Sequence, residues 1–366
     1  MLNEIIRRRR ALHSIPETGF DLVETSDFLK REISAWDCEA ESVAQTGFAC
    51  FFDAGKDETY AFRSDMDALN ISEASGVDFC STNPGKMHAC GHDGHMAMML
   101  ALGDWASAHK GELNRNLLLI FQPAEEQALG AVEVIKSGVL ERRRVSRVYA
   151  LHVDPWTPLG TVTSRPGPMM ARTSEVYMTF HGKSSHAAMA EKGIDALAAI
   201  CEFICAALEM EKGIDADIPR LLKFGTINSG TAVNVISDKA VATGTMRAFS
   251  DEVYENMKKR LYEIADGVAR KYGATYELEF ASGACAVIND EKLFKQAQSA
   301  LRDMDFKTME KPVMIAEDFA LYAQIAPIMM IFVGLGSGIP LHSPNFVMDE
   351  RALECGARAL IKLAEA

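Results

Sequence analysis

Along the 366-residue chain, four short runs are apolar throughout and end in polar loops: 60–62, 117–121, 148–151 and 328–333. Runs of this kind read as strands buried on both faces, because neither face is left polar. Helical patterns lie between or after several of them, including 96–108 and 131–137. This alternation predicts an α/β domain with a central, mostly parallel sheet and flanking helices.

From about Ser174 to Gly283 the pattern changes. Val176, Met178 and Phe180 alternate with polar residues, as on a half-buried strand. A helical stripe follows through Ile194, Leu197, Cys201, Ile204 and Leu208, and Gly213 is suited to end it. Two strand-like runs, 221–228 and 239–249, come next. Ser250 is a plausible N-cap, with Asp251 and Glu252 at the positive end of a second helix. That helix carries Val253, Met257, Leu261, Ile264 and Val268, and Gly273 ends it. A last strand alternates through Tyr276, Leu278 and Phe280. The order β-α-β-β-α-β is the split βαβ arrangement, so a ferredoxin-like α+β domain is expected as an insert. The expected boundaries are 1–170 and 283–366 for the two parts of the main domain, and 171–282 for the insert.

Bulk properties narrow the picture. Hydrophobic residues make up 48% and charged residues 24% of the chain, and the formal charge is -13. Neutralising phosphates needs clustered Lys and Arg, so a nucleic-acid role is not expected. Arg7 to Arg10 form one basic run, read as a solvated helix face. No stretch approaches the roughly 20 apolar residues of a membrane span. The eight cysteines lie mostly in apolar stretches, and they read as reduced, mostly buried thiols of a cytoplasmic protein.

Chemistry-bearing residues follow each of the four apolar runs. Arg63, Asp65 and Asp67 follow the first, and Glu125 and Glu126 the second. His152 follows the third directly, and a glycine-rich stretch after the fourth reaches His342. In an open α/β sheet, ligands bind outside the carboxyl ends of the strands. The run Met87-His88-Ala89-Cys90-Gly91-His92-Asp93-Gly94-His95 would join them there. Divalent ions of borderline softness take thiolate, imidazole and carboxylate ligands. The spacing of His88, His92 and His95 also fits one helical face, but Gly91 and Gly94 favour a turn. Of two adjacent carboxylates outside regular structure, one can bind metal while the other takes a proton from water.

These stretches resemble the aminoacylase/carboxypeptidase family of two-metal amidohydrolases, and within it the branch of auxin-conjugate, hippurate and N-acyl-amino-acid hydrolases. The resemblance rests on the 87–95 run, Gln122-Pro123-Ala124-Glu125-Glu126 and Arg63-Ser64-Asp65-Met66-Asp67-Ala68-Leu69. Further matches are the 8–13 stretch, Gly130-Ala131, Leu151-His152, His186-Ala187-Ala188, Asn234-Val235-Ile236, Gly244-Thr245-Met246-Arg247, Glu317-Asp318-Phe319 and the 341–346 stretch. It implies a zinc-peptidase-like main domain and a lid that dimerises in many members. It implies two divalent ions, Mn, Zn, Ni or Co, held by Cys90, His92, Glu126, His152 and His342. Glu125 matches the general base, and Asp65 a carboxylate that orients the ligands. His186 matches an oxyanion-binding histidine, supplied by the same or a partner subunit. Arg247 and Asn234 match residues that hold the substrate carboxylate. The implied reaction is hydrolysis of an N-acyl amino acid. A dipeptidase or carboxypeptidase using the same two-metal site is the first alternative, and a non-catalytic metal- or thiol-sensing protein on the same fold the second. Asn70, Ser184-Ser185 and Met189-Ala190-Glu191 depart from the family pattern and bear on the substrate, not the reaction.

Overall fold

The computed structural model describes residues 1–281 and 283–366, so the expected end of the insert, residue 282, lies outside the described residues. The chain forms two compact units. The first holds residues 1–169, 288–312 and 318–366; the second holds 170–287 and 313–317.

The first unit is built on an eight-stranded sheet. Its middle consists of Asn116–Gln122, Thr59–Asp65, Val145–Asp154 and Ile328–Gly334, and each neighbouring pair is parallel. These are the four apolar runs, extended by a few residues. Thr59–Asp65, Asn116–Gln122 and Ile328–Gly334 are buried at every position, which is why they lack alternation. Antiparallel strands Phe48–Phe52 and Glu39–Ser42 extend one edge, and Val162–Ser164 with Phe306–Thr308 extend the other.

Helix His92–Ala108 packs against Leu2–His13 and Arg351–Glu365. It is buried on nearly every face, as expected of a helix apolar all round. Its start corrects the sequence expectation of a turn over the whole run. Only the residues up to Gly91 form the turn; His92 to His95 are the first helical turn. Gly91 takes the left-handed conformation (φ +86°) as the N-cap. Gly94 stays inside the helix because a Cβ there would lie 2.7 Å from Met348 Cε. Packing decides this position, overriding the low helix propensity of glycine.

The second unit has strands Arg172–His181, Arg220–Ser229, Lys239–Ala248 and Thr275–Phe280, interleaved with helices Ala196–Lys212 and Asp251–Tyr272. The strands form one antiparallel sheet, with the first and third strands at its centre. This is the split βαβ order. Ser250 caps the second helix by accepting from Val253 N at 3.2 Å, and Gly273 ends it in the left-handed region. The stripe of the first helix is only partly turned inward. Ile204 packs against the core, which is made by Ala199, Ile200, Phe203 and Ala207, while Leu197 is 43% exposed and Cys201 and the neighbouring Cys205 are exposed.

Two further expectations fail. Only Cys50 and Cys90 of the eight cysteines are buried, although all eight are free thiols. The 7–10 arginine run is not a solvated face either. Arg8 and Arg9 are buried, and they pair with Glu32, Asp104 and Asp93.

A buried ionic cluster ties the sheet together. Arg63 donates to Gln122 Oε1 (2.9 Å), Asp65 Oδ2 (2.8 Å) and Asp318 Oδ1 (2.8 Å). Asp318 also accepts from Ala131 N at 2.9 Å, near the start of helix Gly130–Lys136. Removing one partner of a buried ion pair leaves an uncompensated charge. Arg63→Met should therefore lower the unfolding free energy by about 3–5 kcal/mol in urea denaturation. A loss below about 1 kcal/mol, the scale of an exposed pair, would show that the cluster is not structural.

Candidate metal centre

Three turns at the carboxyl ends of the middle strands bring the proposed donors together. The Cys90 thiol precedes the capping Gly91, and His92 opens the helix. Glu125 and Glu126 lie in the turn after Asn116–Gln122, where Ala124 takes φ +56°. His152 lies within Val145–Asp154. His342 follows Ile328–Gly334 by eight residues in sequence and has φ +61°.

Cys90, His92 and His152 form one group of converging donor atoms, and Cys90, Glu126 and His342 form another. Cys90 is common to both. Its Sγ is 3.5 Å from His152 Nε2, and Glu126 Oε1 is 3.5 Å from His342 Nε2 and 3.9 Å from His92 Nε2. Donors around one tetrahedral divalent ion stand about 3.5 Å apart, given bonds of about 2.0–2.3 Å. Glu126 Oε1 is buried and has no hydrogen-bond partner among the described residues. A buried carboxylate oxygen left in that state calls for a cation.

The imidazoles are oriented to match. His92 Nδ1 is 2.7 Å from the Asp67 carbonyl, and His152 Nδ1 is 2.7 Å from the Val153 carbonyl. A carbonyl only accepts, so each Nδ1 carries the proton and each Nε2 keeps its lone pair for an ion. His95 is different. Its Nδ1 donates to Asp65 Oδ1 at 2.7 Å, while its Nε2 accepts from Val153 N at 3.0 Å. Both nitrogens are engaged, and the ring serves as a brace. His88 is fully enclosed, and burial pushes its pKa down to about 3.

Charge follows the same logic. Burial opposes ionisation of Glu126, but His342, His92 and Cys90 outweigh it and lower its pKa. Asp65 is also lowered despite complete burial, through His92, His95 and Arg63. Burial drives the His152 imidazole well below its ordinary range, which keeps it neutral and able to ligate. Asp65 Oδ2 is 3.7 Å from His92 Nε2, but Arg63 already occupies that oxygen. Asp65 therefore braces this arrangement from beneath.

Asp67, noted in the sequence only as a polar residue after the first run, has a positioning role that the sequence did not assign. Its two carboxylate oxygens accept from Glu125 N (3.0 Å) and Glu126 N (3.2 Å), and its own carbonyl orients His92. One residue thus holds two of the converging segments. The available signal was its period-2 spacing from Asp65 at a strand end.

In the second unit, Asn234 and His186 belong to one small element. Val235 pairs with His186, and Ala187 N donates to the Asn234 carbonyl at 2.9 Å. His186 is exposed, and its Nδ1 accepts from Ala188 N at 3.1 Å, so a neutral ring carries its proton on Nε2. Arg247 donates to the Met314 carbonyl, and its Nε is buried without a partner among the described residues.

Comparisons with known proteins agree with this geometry. Residues 61–366 match the family described as peptidase family M20/M25/M40. The chain is 35% identical over 358 residues to the N-acetyldiaminopimelate deacetylase of Shouchella clausii, covering 96% of this chain and 95% of that protein. Its identity to the deacetylase of the same name from Streptococcus uberis is also 35%, over 361 residues, with 96% and 95% coverage. A dinuclear metal-binding M20 family peptidase from Bacillus subtilis superposes with a TM-score of 0.88 at 30% identity, covering 99% of this chain and 97% of that one. Fold and donor chemistry together define a metal-dependent amidohydrolase. The chain belongs to peptidase family M20/M25/M40.

Residues that orient the ligands of a metal typically contribute 10–100-fold to its affinity. Asp67→Ala should weaken binding of divalent ions by about that factor while leaving the circular dichroism spectrum unchanged. Unaltered affinity in a metal titration would show that Glu125 and Glu126 hold their turn without it.

Proposed function

We propose that the protein hydrolyses the amide bond of N-acyl amino acids, releasing a carboxylic acid and a free amino acid. The observation that carries this reading is a second carboxylate, Glu125, placed beside the converging donors His92 and Glu126. Glu125 is adjacent to Glu126, and both backbone N–H groups are bound to one aspartate. The deacetylase relatives support an acylated amino acid as substrate, and an acetylated diamino acid heads the compounds to test.

Cys90, His92, Glu126, His152 and His342 would hold two divalent ions, with Mn, Zn, Ni and Co all compatible with this mixed set. Such ions, when bound, lower the pKa of water towards about 7 and polarise the amide carbonyl. Glu125 takes a proton from the attacking water and returns it to the leaving amine nitrogen. His186 donates from Nε2 to the oxyanion, the role its tautomer supports. Arg247 and Asn234 bind the substrate carboxylate, and the Arg247 Nε offers a desolvated donor for that task. Asp65 and Asp67 hold the donors and take no part in proton transfer.

Glu125→Ala should bind metal as the parent does and lose at least about 100-fold in turnover. The assay is a panel of N-acetyl and N-benzoyl amino acids, N-acetyl diamino acids and dipeptides. Full activity in the variant would remove Glu125 from its role. Cleavage of dipeptides alone would replace this reading with that of a dipeptidase.

The same reading includes a homodimer formed through the second unit. Strand Arg220–Ser229 is at the sheet edge, and Ile227 on it is 46% exposed. An open edge strand pairs readily with another chain. Leu197, Cys201 and Cys205 add an outward apolar stripe on helix Ala196–Lys212. The location proposed is the cytoplasm, where eight free thiols stay reduced. Among the described residues, no helix is long and apolar enough to cross a membrane. Leu197→Glu combined with Ile227→Glu should convert a dimer to a monomer in light scattering. A parent protein that is already monomeric would end this proposal.

A further inference from the structure

One buried histidine plays no part in the chemistry above. His13 ends helix Leu2–His13 and is enclosed. Its nitrogens face two different carboxylates: Nδ1 is 2.8 Å from Asp93 Oδ2, and Nε2 is 3.1 Å from Glu73 Oε1. A nitrogen that close to an ionised oxygen needs a proton between them. Both acids are ionised. Asp93 is held far below the usual carboxylate range because Arg9 and His13 overcome its burial. Glu73 is lowered against its burial by Ser75, the Ser81 N–H and His13. Both ring nitrogens are thus placed to donate, one to each carboxylate, when the ring is protonated.

All the groups around it enter this balance. On its own helix, Arg9 donates to Asp93 Oδ2 at 2.7 Å and brings Nη2 to 3.3 Å from His13 Nδ1, a contact that opposes a proton on that nitrogen. Asp93 comes from helix His92–Ala108, and Glu73 from the 70–86 segment. The His88 ring centre is 6.4 Å away and Phe79 meets the ring edge-on at 5.6 Å. Burial and Arg9 oppose the charge, but Asp93 and Glu73 prevail and raise the His13 pKa above its ordinary value.

The contact reaches the metal centre through the backbone. Ala74, next to Glu73, donates its N–H to the Pro344 carbonyl at 2.7 Å. His342 is two residues before Pro344, in a left-handed conformation, with its own N–H bound to the Ala89 carbonyl at 2.9 Å. Its side chain is 52% exposed, so packing alone does not hold it.

We infer that His13, as an imidazolium bound between Asp93 and Glu73, is a positioning residue that fixes the 70–86 segment and thereby the place of His342. The inference rests on the reading of His342 as a metal ligand. Because the folded-state pKa is raised, the clamp is complete at pH values below the ordinary histidine value. It is lost as pH rises through the folded value.

The test uses the full-length protein loaded with manganese, or with zinc for NMR. Release of the weaker-bound ion to a chelator is followed from about pH 6 to about pH 9, the range a raised histidine spans. His13 is followed by its 13C-labelled ring resonance, assigned by its loss in His13→Gln. Glu73→Gln keeps an acceptor for Nε2 but removes one charge. It should lower the His13 pKa, shift the alkaline rise in metal release down by at least about half a pH unit and match the parent at about pH 6. His13→Gln should release the weaker ion about ten-fold more readily at about pH 6, the scale of a ligand-orienting contact, and converge with the parent at alkaline pH, where the parent's clamp is lost. If His13 titrates lower in Glu73→Gln but the release profile stays with the parent, the clamp does not reach His342 and the inference fails. Superimposed release profiles for parent and His13→Gln would overturn it equally, whatever the change in melting temperature. A parent that binds no divalent ion would overturn the metal-centre reading and the clamp together.

Discussion

The first unit depends on one constraint: it buries four aspartates beneath the carboxyl ends of its sheet. Asp65, Asp67, Asp93 and Asp318 are each at most 1% exposed. A buried carboxylate is tolerated only where donors surround it. Asp65 has Arg63 and His95, Asp93 has Arg9 and His13, and Asp318 has Arg63, Gln122 and Ala131 N. Asp67 accepts two backbone N–H groups, and His92 Nδ1 stands 3.8 Å from its Oδ1. Burial raises its pKa to about 7. These contacts link segments that are distant in sequence, because no local turn supplies enough donors. The positions of Glu125 and Glu126 follow from this, since their backbone N–H groups are the donors that Asp67 finds.

This constraint also separates what the sequence revealed from what it concealed. The middle strands were legible because burial on both faces leaves an unbroken apolar run. The split βαβ order was legible because strand and helix periods differ. Ser250 and Gly273 were legible because caps act locally. The start of helix His92–Ala108 was not, because Met348 and Leu353 fill the space beside Gly94 from the far end of the chain. The stripe Leu197, Cys201, Ile204 and Leu208 misled for a related reason. Periodicity shows that a helix has an apolar face, but not whether its own unit covers that face. Among the site residues, the converging donors stood out as unusual residue types at strand ends. Arg63 and Asp67 were seen at a strand end and Asp318 in a matching stretch, but their roles were not legible, because those depend on the identity of their partners.

The arginine run is a further instance. Four consecutive arginines on a helix suggest a solvated surface, and Arg7 and Arg10 do lie at one. Arg8 and Arg9 are drawn inward by Glu32, Asp104 and Asp93. The negative groups that pull them in come from other helices, so the run cannot be read from its own composition.

Two of the six described non-glycine residues with positive φ, Ala124 and His342, stand at the donors. Gly91 separates Cys90 from His92, Ala124 precedes Glu125, and His342 is itself a donor; all three have positive φ. For Ala124 and His342, which carry a Cβ, this conformation costs about 1–3 kcal/mol each. It persists only because neighbouring groups hold it. Ala124 N donates to the Gly19 carbonyl, Asp67 takes the next two N–H groups, and His342 N is bound to the Ala89 carbonyl. The strained turns aim side chains from separate strands at a common point, which regular strand geometry would send to alternate faces. The residues that hold those turns therefore set where the donor side chains lie. Loss of a holding contact lets the turn relax towards ordinary backbone angles, and the donor moves away with it.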